Sequence, residues 1–196
     1  AFTNNCQMAA RLAKSSKVLG LFVDCEAYSA SIFWNFSAQP VGHTFADYQS
    51  KYYDVGVDVG VAITAEYPDI ILAVAISYEQ LRSVTVPNLP TNTYGLLPSF
   101  LDGLHDGVGP SVRIVNTMED GYANQTAADF NFDINLQVPP SVPYLTSANY
   151  ANVHVNGMST WCDYPGTAFD FANPALNYNT PAIFQNNLEL MRDRVD

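Results

Sequence analysis

The chain has 196 residues, of which 48% are hydrophobic and only 14% charged, a length and composition that indicate one folded domain over residues 1–196 and argue against disorder. Its formal net charge of −11 comes from 19 acidic and 8 basic residues, and the basic residues form no cluster, so a phosphate backbone would be repelled and nucleic acid is not an expected partner. No apolar run reaches the roughly 18 residues of a membrane-spanning helix, so no membrane partner is expected either.

The chain opens with a predicted helix and a predicted strand. Residues 3–16 have the apolar spacing of a helix, and residues 18–24 form an apolar run that is typical of a strand buried on both faces of a parallel sheet. Asp24 and Glu26 stand where this strand ends. Because they are two positions apart, strand geometry directs both side chains to the same side.

A long second helix is predicted to follow Thr44, a candidate N-cap. It contains Gly56 and Gly60, whose spacing resembles a membrane packing motif. Nearby acidic residues argue against the apolar membrane environment that this motif needs. We therefore interpret the glycines as the place where the helix packs closely on the sheet. A second apolar run over residues 70–76 predicts the next strand.

The rest of the chain repeats this order less regularly, and prolines between residues 138 and 143 interrupt the helical pattern. The remaining predicted elements are a helix from about Pro98, a strand over residues 112–118 that runs into Glu119, a short helix over 127–136, a weaker strand over 153–159, and a helix that Thr180 caps with Pro181 in its first turn.

Four strand-to-helix units without hairpin signals predict an α/β fold with parallel strands. An open four-stranded sheet is one possibility. Because the chain begins at Ala1 rather than Met and an open sheet would expose its edges, we expect instead a partial (β/α)8 TIM barrel of about four βα units preceded by a helix, a fragment that lacks the first and last strands. An extracellular or periplasmic location is favoured if a missing N-terminal segment carries an export signal.

Several common kinds of site find no support in the sequence. Cys6, Cys25 and Cys162 are far apart and form no CxxC pair, so neither a disulfide framework nor a zinc site is expected, although one bridge stays open. The three histidines are scattered, which favours neither a histidine-rich metal site nor a Ser-His-Asp arrangement. No phosphate-binding glycine loop follows a strand, and no cofactor is expected.

The acidic residues at the strand ends suggest a reaction. Carboxyl ends of parallel strands lie at one edge of a sheet, so acids that follow different strands converge there. Glycoside hydrolysis needs one protonated and one ionised carboxyl group. We predict Glu26 as general acid/base and Glu119 as nucleophile or base, with Asp24 raising the pKa of Glu26 by like-charge repulsion. The alternative for these acids is a solvated loop charge or a helix N-cap.

Aromatic side chains near the same edge are candidates for stacking against sugar rings, and the alternative for each is a hydrophobic lid over the sheet. The predicted substrate-binding residues are Tyr28, Trp34, Tyr78, Tyr122, Trp161 and Asp163.

A divalent metal is the remaining alternative for the acids. Asp24, Glu26, Glu119 and Asp163 could together hold a hard cation through their carboxylate oxygens. No spacing motif supports such a site, so metal-dependent chemistry ranks last.

Four segments in this order carry a resemblance to a known group of proteins. They are Leu21-Phe-Val-Asp-Cys-Glu-Ala-Tyr28 with Trp34 following, Tyr67-Pro-Asp-Ile70, Tyr94-Gly-Leu-Leu-Pro-Ser-Phe-Leu-Asp-Gly-Leu104 and Met118-Glu-Asp-Gly-Tyr122.

With these segments the chain resembles bacterial glycoside-hydrolase-like TIM-barrel proteins. The resemblance implies a barrel that acts on carbohydrate, or descends from enzymes that do, with the acids of the first and third strands at the active-site edge. A carbohydrate is therefore the expected partner. The alternative is a non-catalytic carbohydrate-binding or accessory protein of the same fold, and the sequence specifies no oligomeric state.

Overall fold

The computed structural model describes residues 2–28, 33–137, 144–160 and 170–194. Its helices are α1 (Phe2–Ser15), α2 (Phe45–Glu66), α3 (Leu97–Gly107), α4 (Ala127–Gln137), α5 (Tyr150–Val153) and α6 (Pro181–Arg192), and its strands are β1 (Gly20–Val23), β2 (Ile71–Val74), β3 (Arg113–Asn116) and β4 (His154–Asn156). Every predicted helix and strand is confirmed, whereas the single-turn helix α5 was not predicted.

The four strands form one sheet in the order β1-β2-β3-β4, and each neighbouring pair is parallel. The register aligns Val23 with Val74 and Val74 with Asn116. The carboxyl ends of all four strands therefore lie at one edge of the sheet, and the predicted α/β fold with parallel strands is confirmed.

One face of the sheet carries the hydrophobic core. Leu72 and Ile114 point to this face, are fully buried, and belong to the same cluster as Val59 of α2 and Leu104 of α3. Because the strands are in sequential order and crossovers share one hand, successive helices pack on the same face.

The opposite face of the sheet is much less covered. It presents Phe22, Ala73 and Val115, which are aligned across β1, β2 and β3. Phe22 is 63% exposed. The prediction that the first strand is buried on both faces is therefore wrong, because β1 is an edge strand with helices on one side.

Helices α2 and α3 pack closely through glycines. A Cβ atom on Gly56 would lie 2.2 Å from the carbonyl oxygen of Phe100, and one on Gly103 would lie 2.0 Å from the carbonyl oxygen of Tyr53. Gly60 faces Gly107 in the same way. The predicted close contact is present, but its partner is α3 and not the sheet.

The predicted helix starts at Thr44 and Thr180 are confirmed. The hydroxyl oxygen of Thr44 accepts a hydrogen bond from the Asp47 N–H at 3.2 Å, and the Asp47 carboxylate accepts one from the Thr44 N–H at 2.8 Å. Thr180 accepts from the Ile183 N–H at 3.3 Å. No helix in the described ranges combines the length and apolar character needed to cross a membrane.

Candidate active site

Glu26 follows β1 in a segment whose backbone is held at three points. Its own N–H donates to Oδ1 of Asp24 at 2.8 Å. The indole N–H of Trp34 donates to the carbonyl of the preceding residue at 2.7 Å, and the N–H of the following residue donates to the hydroxyl oxygen of Tyr94 at 2.9 Å. These bonds hold Glu26 in position although it lies outside regular secondary structure.

Glu119 follows β3 through an unusual turn. Met118 has a φ of 49°, in the left-handed region that is costly for a residue with a side chain. Its carbonyl oxygen accepts from the N–H of Gly121 at 3.1 Å and from the hydroxyl of Ser159 at 2.8 Å. Glu119 then opens a short 3-10 helix in which the hydroxyl of Tyr122 donates to Oε1 of Glu119 at 2.8 Å.

The side chains of Glu26 and Glu119 lie within hydrogen-bonding reach of each other. Two carboxyl groups can share a hydrogen bond only if one of them holds a proton. Partial burial, this bond and the negative charges of Glu119 and Asp24 together raise the pKa of Glu26 to about 7. The repulsion predicted from Asp24 contributes to this shift, but it is the smallest of the four causes.

Two tyrosines border the carboxyl pair. Partial burial and the hydrogen bond to Glu119 raise the pKa of Tyr122 to about 12. The pKa of Tyr94 is raised by burial and by the charges of Glu26, Glu119 and Asp24. Both phenols therefore keep their protons at neutral pH, so each is a hydrogen-bond donor beside the acids.

A cavity of about 460 Å³ lies beside the end of β1. Glu26 and Asp24 contribute to its lining, together with Lys51 and apolar residues that include Phe33 and Trp34. Apolar walls that meet a few polar groups and a carboxyl group with a shifted pKa are the usual features of a ligand site.

The structure brings four of the predicted residues together, namely Asp24, Glu26, Glu119 and Tyr122. Tyr28 lies just beyond them along the chain and is 64% exposed. Trp161 and Asp163 are outside the described residues, and their predicted role in substrate binding stays a prediction.

Two predicted stacking residues are corrected. Tyr78 is 2% exposed and donates its hydroxyl to Asp102 at 2.6 Å, so it is a core residue with a buried partner. Trp34 is 8% exposed and packs against Phe100, so little of its ring is available to a sugar. Trp34 instead supports Glu26 through the backbone. The exposed aromatic residue of this segment is its neighbour Phe33.

Tyr94 and Ser159 belong to the site but were not predicted. Ser159 ends the fourth apolar run, so the same strand-end rule that selected Glu119 could have found it. Tyr94 precedes α3 in a loop, where no sequence pattern marks it. Its contact with the segment around Glu26 arises only from the tertiary fold.

The structure also shows the surroundings of the other candidate site residues. Within the residues that the structure describes, no group of three or more His, Cys, Asp or Glu side chains could hold a metal ion. Cys6 and Cys25 are free thiols, and Cys162 lies outside the described residues. His105 and His154, which we described as scattered, are in contact, with Nε2 of the first 3.2 Å from Nδ1 of the second.

Comparisons with protein-family models, with curated proteins and with solved structures give no match for this chain. Function is therefore inferred from the geometry and chemistry of the site.

Proposed function

We propose that this chain is a carbohydrate-active protein that hydrolyses glycosidic bonds, with Glu26 as general acid/base and Glu119 as nucleophile or base. The observation that carries the proposal is the approach of the two carboxyl groups within hydrogen-bonding reach, in a partly buried position that together with this approach raises the pKa of Glu26 to about 7. A general acid must hold a proton at the working pH, which an ordinary glutamic acid does not do near neutrality. With its raised pKa, Glu26 can keep a proton near neutrality.

In the proposed reaction, substrate binding increases the distance between the two carboxyl groups. Retaining glycosidases separate them by about 5 to 5.5 Å and inverting ones by about 6.5 to 9.5 Å. Hydrogen-bonded oxygen atoms lie only about 2.5 to 3 Å apart. A sugar that inserts between Glu26 and Glu119 replaces their mutual bond, and the bond from Tyr122 keeps Glu119 in place while this happens.

The fold proposal is that the four strands are part of a (β/α)8 barrel. Three observations support it, namely the sequential parallel strand order, the core on one face, and the exposed apolar residues such as Phe22 on the other. Active sites of such barrels lie at the carboxyl ends of the strands, where Glu26 and Glu119 meet. The resemblance to bacterial glycoside-hydrolase-like TIM-barrel proteins agrees with this arrangement.

One observation favours a second function. The carboxyl groups of Glu26 and Glu119 lie within hydrogen-bonding reach of each other, which is closer than the separation that glycoside hydrolysis uses. A protein that binds carbohydrate without hydrolysing it would have no need to open this pair.

The two functions are separated by Glu26→Gln and Glu119→Gln, assayed on a panel of polysaccharides and aryl glycosides. We expect each variant to lose at least about 100-fold in kcat/KM, because each removes a group that transfers a proton or attacks the sugar. Glu189→Gln, the same change at an exposed position on α6, is the matched control. Full hydrolysis by both site variants would show that the catalytic assignment is wrong.

A parent protein that hydrolyses nothing on the panel but binds a glycan by calorimetry would support the non-catalytic function. A chelator such as EDTA is expected to leave hydrolysis unchanged. Its loss on chelation would instead support a metal-dependent reaction that uses the same acids.

A further inference from the structure

A buried carboxyl group next to the site orients an asparagine. Glu79 lies in the 3-10 helix Tyr78–Leu81 after β2 and is 1% exposed. Its Oε1 accepts from the N–H of Ser77 at 2.8 Å, and its Oε2 accepts from Nδ2 of Asn116 at 2.9 Å. Burial of a carboxyl group is tolerated only where such bonds replace its hydration. The amide of Asn116 is therefore held with its nitrogen toward Glu79.

Through its side-chain amide, Asn116 connects Glu79 to the turn that precedes Glu119. It is the last residue of β3 and is 2% exposed. With Nδ2 facing Glu79, its Oδ1 faces the backbone and accepts from the N–H of Met118 at 3.1 Å. Met118 is the residue with the left-handed φ of 49°. Such a conformation persists only where the surrounding structure holds it.

We propose that Asn116, oriented by Glu79, is a positioning residue that holds the turn at Met118 and thereby places the carboxyl group of Glu119 against Glu26. Without the bond to its N–H, Met118 relaxes towards the extended conformation that residues with side chains prefer, and Glu119 swings away from its partner. The inference rests on the proposed function only for its kinetic consequence, because the placement of Glu119 can be measured without a substrate.

The test follows the titration of Glu26 by NMR of its side-chain carboxyl carbon. In Asn116→Leu, which has a similar volume but neither hydrogen bond, we expect the midpoint to fall by about one pH unit or more, because the bond and the charge from Glu119 are lost. Asp24, Tyr94 and Tyr122 also face the pair and are unchanged in this variant. Ile114→Val, on the same strand and face but without a bond to the turn, is the control and should titrate as the parent does.

A swapped pair tests the same contact without removing it. In the double variant Glu79→Gln, Asn116→Asp, the glutamine oxygen can accept from Ser77, its nitrogen can donate to the new carboxylate, and that carboxylate can accept from the N–H of Met118. We expect this double variant to titrate as the parent does. Asn116→Asp alone sets two carboxyl groups against each other and should shift the midpoint.

The proposal would be overturned by a folded Asn116→Leu protein in which Glu26 titrates with the same midpoint as in the parent. If Asn116→Leu does not fold, the comparison of Asn116→Asp with the swapped pair decides, and equal midpoints in these two would also overturn it. Where the parent hydrolyses a glycoside, Asn116→Leu should lower kcat by about tenfold with KM nearly unchanged. A shifted midpoint in a protein without hydrolysis would leave the positioning role intact and count against the proposed function alone.

Discussion

Glu26 and Glu119 lie within hydrogen-bonding reach of each other across the carboxyl end of β2, the strand that lies between their own strands in the sheet. Burial and the neighbouring Glu119 raise the pKa of Glu26, so Glu26 keeps a proton at pH values where an isolated glutamate has lost its own. This proton has measurable effects on both the chemistry of the site and the stability of the fold.

Removal of the Glu119 carboxylate should lower the pKa of Glu26. Burial, the hydrogen bond to Glu119 and the charge of Glu119 are the three largest causes that raise this pKa to about 7. In Glu119→Gln the last two are lost, because the amide is neutral and can donate to ionised Glu26, so the midpoint of the Glu26 titration should fall by about one unit or more. Glu189→Gln, the same change at an exposed position on α6, is the control. An unchanged midpoint in Glu119→Gln would contradict this prediction.

Glu26 should make the folded protein less stable as the pH rises from about 4.5 to about 7. The folded state binds the proton with a pKa of about 7, whereas the ordinary value of 4.5 applies to the unfolded chain. The stabilising contribution is therefore fully present below pH 4.5 and is lost as the pH rises through 7. Glu26→Gln carries no such proton, so its stability relative to the parent should be higher at pH 8 than at pH 4.

Urea unfolding at pH 4, 6 and 8 measures this difference. Glu189→Gln serves as the control, and its stability relative to the parent should vary much less over the same range. If the difference in free energy of unfolding between Glu26→Gln and the parent stays constant with pH, Glu26 has the same pKa in the folded and unfolded states.

The contact between His105 and His154 should make the protein sensitive to acid. The carbonyl oxygen of Leu101 can only accept, so Nδ1 of His105 donates to it at 2.6 Å, and Nε2 of His105 accepts from Nδ1 of His154. Burial lowers the pKa of His105 to about 4, and burial with the adjacent His105 lowers that of His154 to about 3. Stability is thus present above pH 6.5 and is lost as the pH falls towards 4, by roughly 2.5 kcal/mol per histidine at pH 4.5.

His154→Phe tests this acid sensitivity. It keeps an aromatic ring against Tyr150, on which His154 stacks at 4.2 Å between ring centroids, and it removes one titrating group. The fall in urea midpoint between pH 6.5 and pH 4.5 should be smaller than in the parent. His43→Gln alters an exposed histidine and should retain the parent's fall. An equal fall in His154→Phe and the parent would rule out a contribution from this ring.

Alanine at the glycines between α2 and α3 should destabilise the fold. In Gly103→Ala the new methyl group would meet the carbonyl oxygen of Tyr53 at 2.0 Å, and backbone cannot move aside as a side chain can. We expect a loss of about 1 to 3 kcal/mol in the free energy of unfolding. At Gly109 the nearest atom is a methyl group of Thr64 at 2.9 Å, so Gly109→Ala is the milder control. Equal losses would contradict the close contact.

Local patterns in the sequence were sufficient to predict most of the secondary structure. Within the described part of the chain, the apolar runs and helical spacing located the four strands and the five longer helices, because both depend on side chains only a few positions apart. Thr44 and Thr180 were recognisable as caps since a cap bonds to backbone three residues away. The strand-end rule also placed Glu26 and Glu119 at the same edge of the sheet.

The same patterns failed where a residue's surroundings come from distant segments. Trp34 and Tyr78 are aromatic residues near the site in sequence, but Phe100 and Asp102 of α3 make both part of the core. Phe22 belongs to an apolar run and yet is exposed, because β1 lies at the edge of the sheet. Burial depends on what packs against a side chain, which periodicity does not encode.

By itself, the sequence determined that two acids follow parallel strands and converge at one edge, since strand direction and side-chain alternation are local properties. Only the tertiary structure decided that Glu26 and Glu119 come within hydrogen-bonding reach, that Tyr122 and Tyr94 border them, and that the turn at Met118 is held by hydrogen bonds. Proton affinity depends on distances of a few ångströms and on lost hydration, and both arise only when distant segments pack together.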